Sequence, residues 1–139
     1  MAFNEKSAWV MVLTLGLGMA FYVSMITGSG LEGGVIAKPG TTVIGLTILM
    51  VVIAIVGHAA IAAFAGNAAN APLDEREQQI VDRAARSSGF VLPGGIVFAL
   101  GVYLLTSNGD LLFYLAFSSL ILGHLAEYIL RIVFYRVAF

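Results

Sequence analysis

Three ionisable residues lie deep within apolar sequence: His58, His124 and Glu127. Glu127 follows His124 by three positions, so a helix puts both on one face, and Arg131 stands one turn further on in the favourable Glu-to-Arg order. Their chemistry has three directions. His-x-x-Glu offers two metal ligands on one helical face with His58 as a third, as helical bundles do with the reverse Glu-x-x-His order. Two histidines beside glycines, Gly57-His58 and Gly123-His124, suit the axial positions of a b-type haem. An imidazole with a carboxylate also suits proton or cation handling, because histidine titrates near neutrality and carboxylates form relays in transporters. The structural alternatives are a histidine that hydrogen-bonds a neighbouring helix and a Glu127–Arg131 ion pair that serves packing.

The elements that position these residues follow from composition. Of 139 residues, 60% are hydrophobic, 16 are glycine and 11% are charged, and mean hydropathy is +0.97. Soluble domains carry about 25% charged residues, so a soluble globular enzyme is excluded. Seven Lys and Arg against eight Asp and Glu leave no basic footprint, which excludes nucleic acid as a partner. Cysteine is absent, and with it any disulfide or thiolate site. A helix needs about 20 apolar residues to cross a bilayer. Four segments qualify, at about 8–27, 41–66, 89–106 and 111–135, in one transmembrane domain over 1–139. The first is too long for a signal peptide and lacks a cleavage site, so it reads as a retained helix.

Lys and Arg favour cytoplasmic segments. Lys6, Arg76, Arg83, Arg86, Arg131 and Arg136 fall on one side of four alternating spans, and Lys38 alone falls on the other. Both termini and the 67–88 segment are therefore expected to be cytoplasmic. The outer loops, 28–40 and 107–110, are short, and the first is glycine-rich and expected to be flexible.

Within the cytoplasmic segment, Asp74 reads as the N-cap of a helix over 72–88, with Glu77 returning to it in a capping box. No breaker follows until Ser88-Gly89, so this helix is expected to continue into the third span, with a kink at Pro93. Asp74, Glu75, Arg76, Glu77, Arg83 and Arg86 make up a charged run that reads either as a partner-docking surface or as a solvated face.

The halves resemble each other. A shift of 79 superposes Gly16, Ala20 and Val23 on Gly95, Ala99 and Val102, and a shift of 66 superposes Gly57-His58 on Gly123-His124. Two hairpins in one orientation would be related by a two-fold along the membrane normal, and the histidines would face each other across it. Ala59/Ala63 and Ala62/Gly66 supply small residues at spacing four, which suits either a homo-oligomer seam on helix two or close contact within the chain. Trp9, Tyr22, Tyr114 and Tyr135 stand near span ends, where aromatics anchor helices at the interface.

The run Asp74-Glu75-Arg76-Glu77 opening helix three, with Glu127-Tyr128 and Tyr135-Arg136 in helix four, resembles small bacterial four-helix membrane proteins of unknown function. The resemblance covers residues 72–136 and implies a bacterial inner-membrane protein without a defined reaction; the paired histidines are not part of that pattern. The chain lacks the first-helix glutamate of small multidrug exporters and the Arg/Asn/Glu set of four-helix glutathione-linked membrane enzymes.

The sequence thus predicts an all-α polytopic membrane four-helix bundle of two similar helical hairpins in the lipid bilayer. Its expected function is to bind a proton, metal ion or small ligand at His58, His124 and Glu127. The alternatives are a structural or regulatory subunit docking a partner through 72–88, and a bis-histidine haem protein. Enzyme chemistry has the least support, since no nucleophile–base pair or phosphate loop appears.

Overall fold

The computed structural model describes residues 3–31, 40–66 and 72–137, all of whose regular structure is helical. Lys38, most of the 28–40 loop and residues 67–71 lie outside the described residues. Five helices form in order: α1 (Phe3–Leu31), α2 (Gly40–Ala65), α3 (Glu75–Ser88), α4 (Val91–Thr106) and α5 (Gly109–Val137). Four helical stretches, Asn4–Thr27, Val43–Ala65, Glu75–Thr106 and Gly109–Val137, are long and apolar enough to cross a membrane.

The chain's punctuation explains the boundaries. Gly66 at φ +56° stops α2 in the left-handed conformation that glycine adopts without steric cost. Asp74, in extended conformation, caps α3 by accepting from the Glu77 amide at 2.6 Å. The capping box is only half formed. The Glu77 carboxylate turns away to accept from Asn4 Nδ2 at 3.1 Å, which ties α3 to the start of α1. At the opposite end Ser107 takes a left-handed conformation and Asn108 Oδ1 accepts from the Leu111 amide. A two-residue turn therefore suffices between α4 and α5.

One boundary differs from expectation. The helix α1 continues through Gly28 and Gly30 to Leu31, where a flexible loop was expected. Elongating an existing helix adds one hydrogen bond per residue fixed, which offsets glycine's cost of about 1 kcal/mol. As expected, α3 continues into α4 as one rod, interrupted at Gly89-Phe90. Gly89 and Phe90, at the bend, keep right-handed helical dihedrals. The interruption sits one turn before Pro93, which has no N–H to return to the Gly89 carbonyl and whose ring crowds that carbonyl.

The helices do not close into a ring. The central element is α5, which packs against α1, α3 and α4, while α2 packs against α1. Glycines set the closest approaches. A Cβ at Gly57 would run into Val10 and one at Gly18 into Met50, between α1 and α2. Between α4 and α5, a Cβ at Gly95 would overlap the Ser119 hydroxyl and one at Gly123 would press on Leu92 at 3.1 Å. A buried apolar cluster gathers Tyr22, Val43, Leu46 and Tyr114 near the α4–α5 turn end. Tyr22 and Tyr114 are buried there between helices, where interfacial anchoring was expected, and the Tyr22 hydroxyl donates to the Tyr114 carbonyl at 2.9 Å.

Candidate functional site

The structure uses the two histidines differently. His58, on α2, is half-buried against α1. Its Nδ1 lies 2.7 Å from the Ala54 carbonyl, which can only accept, so Nδ1 carries the proton. In the neutral ring Nε2 is then an acceptor, and Ser7 Oγ donates to it at 2.7 Å. Both ring nitrogens are occupied, and the bond fastens α1 to α2. Ser7 was not singled out in the sequence, although the helical turn count gave a signal. Ser7 stands 20 residues before Thr27 and His58 stands 17 after Thr41, so an antiparallel hairpin brings them to similar depth.

His124, on α5, is exposed and makes no hydrogen bond with any described residue. It lines a cleft of about 160 Å³ between α5 and the bend of the α3–α4 rod, together with Ser88, Gly89, Leu92, Leu120 and Glu127. Glu127 shares this cleft, and Arg131 Nη2 donates to its Oε1, so the expected ion pair forms. The Arg131 guanidinium also lies 4.9 Å from the centre of the Tyr128 ring. Its Nε is buried without an acceptor among the described residues, as are Trp9 Nε1 and the Tyr135 hydroxyl.

His124 and Glu127 therefore share one site, as their spacing predicts. His58 bonds across the α1–α2 interface and does not line that cleft. Among the described residues α2 packs mainly on α1, and its Val43 and Leu46 also reach Tyr114 of α5. Among the described residues no three His, Asp or Glu side chains converge as a metal cluster would require. Bis-histidine ligation of one haem needs both rings at a single pocket, and the cleft that His124 lines does not include His58.

The charged segment is partly engaged within the chain. Asp74 caps α3, Glu77 accepts from Asn4, and Arg83 lies 5.2 Å from the Phe134 ring centre. The apolar face of α3, with Ile80, Ala84 and Ser88 buried, is set on α5. Glu75, Arg76 and Arg86 are exposed on the remaining face. Nearby, Arg136 Nε stands 3.7 Å from Glu5 Oε1 and its guanidinium 5.5 Å from the Trp9 ring centre. The N-terminal end of α1, the N-terminal end of α3 and the C-terminal end of α5 thus meet at one charged end of the molecule. Ala59 and Ala63 of helix two are exposed, and Gly18 and Gly57 make the close contacts with α1 instead.

No protein-family model, curated protein or solved structure matches this chain.

Proposed function

We propose that this chain is a non-enzymatic polytopic protein of the bacterial inner membrane that takes a small ligand in the cleft holding His124 and Glu127. The observation that carries this reading is the contrast between the histidines: His58 has both nitrogens engaged, whereas His124 has neither and faces a cleft. At about 1.5 Å per residue His124 lies roughly 22 Å along α5 from Gly109, within hydrocarbon depth. An ionisable ring at that depth is expected to have a partner, and none of the described residues supplies one. Native mass spectrometry with elemental analysis on gently extracted protein tests the reading. A bound small molecule or metal should be present in the wild type and in His58→Ala, and absent from His124→Ala. Its absence from the wild type, or equal retention in all three, counts against it.

The charged end, with both helix termini and α3, belongs on the cytoplasmic side in this reading. The absence of cysteine makes this easy to check: single cysteines at Lys6, Gln79 and Arg136 should resist an impermeant maleimide in intact cells, and one at Asn108 should react. The two hairpins read as relatives, because Gly57 and Gly123 each precede a histidine and each meet a side chain of their hairpin partner.

A second reading is a regulatory subunit that docks a partner through α3. It is favoured by the outward charged groove lined by Gln79, Asp82, Arg83, Arg86 and Ser87. Charge reversal at Arg83 and Arg86 should then abolish partner capture, and retained capture rules this reading out. The exposed alanines of α2 fit a homo-oligomer seam, which cross-linking through Ala59→Cys would report.

A further inference from the structure

The cleft at the α3–α4 bend continues into a second groove, and the two share Leu92 and Leu120. This second groove is walled by Ile96, Phe113, Ala116 and Phe117 and runs along α4 and α5 toward the turn between them. The combined trough has a polar head and an apolar body. From His124 to Phe113 it spans eleven residues of α5, roughly 16 Å at 1.5 Å per residue. The head alone holds about 160 Å³, well short of the roughly 300 Å³ at which drug-sized pockets begin, so it admits only a small head group.

The polar groups of the head are mainly acceptors. Ser88 Oγ directs its proton at the Ala84 and Ala85 carbonyls and keeps only lone pairs to offer. The Gly89 carbonyl receives no helical proton, because position 93 is proline. Glu127 gives Oε1 to Arg131, which leaves Oε2 for another donor. A neutral His124 adds one acceptor and one donor. A carboxylate or phosphate head would meet lone pairs, whereas an ammonium brings three donors and no acceptor. Unwound helix carbonyls beside a carboxylate are also a known way for membrane proteins to hold cations.

Resting on the reading that this cleft is the binding site, we propose that the trough takes a single-chain amphiphile with a primary ammonium head. The head sits among Ser88, Gly89, His124 and Glu127, and the chain lies over Ile96, Ala116 and Phe117. Arg131, one turn nearer the charged end, stays on the opposite oxygen of Glu127.

Calorimetric titration of nanodisc-embedded protein, with empty discs subtracted, tests this with dodecylamine as probe. Saturable binding is expected, weakened at least tenfold in Glu127→Gln and in His124→Phe. Dodecyltrimethylammonium, which keeps the charge and chain but has no N–H, should bind at least tenfold more weakly. Glu127→Gln strands Arg131, so Leu120→Phe provides a second variant. Leu120 is nearly half exposed, and its enlargement should block the trough without loss of thermal stability. Competition by lysophosphatidylethanolamine would place the ammonium on a lipid, and its failure to compete would place it on a free amine. Equal affinity for the two probes, or none for dodecylamine, overturns the ammonium assignment. If native mass spectrometry still shows a His124-dependent adduct, the site stands and only the ligand class falls; without such an adduct, the site itself falls.

Discussion

Asn4 and Glu77 are joined by a hydrogen bond of 3.1 Å across 73 positions of sequence. The bond closes α1 onto α3 at the charged end, and it redirects a carboxylate that a capping box would have kept local. Glu77→Ala should therefore act between helices more than within α3. Its expected cost is about 1.5 kcal/mol, the low end for a hydrogen bond to a charged group. Double-mutant analysis with Asn4→Ala, read by reversible unfolding in mixed micelles, should show coupling. Strict additivity would mean that the bond contributes nothing.

Asp74→Ala tests the cap separately. Loss of the side-chain acceptor for the Glu77 amide should cost about 1 kcal/mol. Hydrogen exchange should accelerate at the first turn of α3 and leave the last turn of α5 unchanged.

The Ser7–His58 bond should behave as interhelical glue. Polar contacts of this kind in membrane proteins average about 0.6 kcal/mol and reach about 1.7. Ser7→Ala and His58→Ala should each destabilise by that order, and the double variant should cost less than their sum. Ligand content should not change in either.

Glycine substitutions separate packing from propensity. Gly95→Ala puts a methyl group into the Ser119 side chain and should destabilise by about 1–3 kcal/mol, as overpacking does. Gly16 has open space around its Cβ position, so Gly16→Ala should be neutral or stabilise by up to about 1 kcal/mol. Thermal melting in one detergent would rank the pair, and the reverse order would refute the packing described.

Tyr22→Phe keeps the ring contacts with Tyr114 and Phe117 and removes only the hydroxyl that donates to the Tyr114 carbonyl. The expected loss is about 1 kcal/mol. Tyr22→Leu should cost more, because the ring itself is buried.

Hydropathy alone made the helices legible, since spans of this length and apolarity have few other structures open to them. Asp74 as N-cap, the bend before Pro93 and the Glu127–Arg131 pair were legible too, because each depends on neighbours within one helical turn. The choice of neighbouring helix was not. Apolar faces of similar composition do not specify which helix lies beside which, so the hub role of α5 and the separation of His58 from His124 had no local signal. Matching polar residues by depth would have paired Ser7 with His58.

Among the described residues, three of the four main helix interfaces involve α5, which follows all its partners in the chain. During synthesis α1 and α2 can settle as a hairpin, but apart from the Asn4–Glu77 bond α3 and α4 lack their main packing surface until α5 arrives. At roughly 5–20 residues per second, the 29 residues of α5 take between about 1.5 and 6 seconds to be made. For that interval the apolar stripe of α3 and the Gly95 face of α4 are uncovered. Assembly is thus a late, concerted event governed by the last helix, and lesions in α5 should show first as shortened lifetime of the newly made chain.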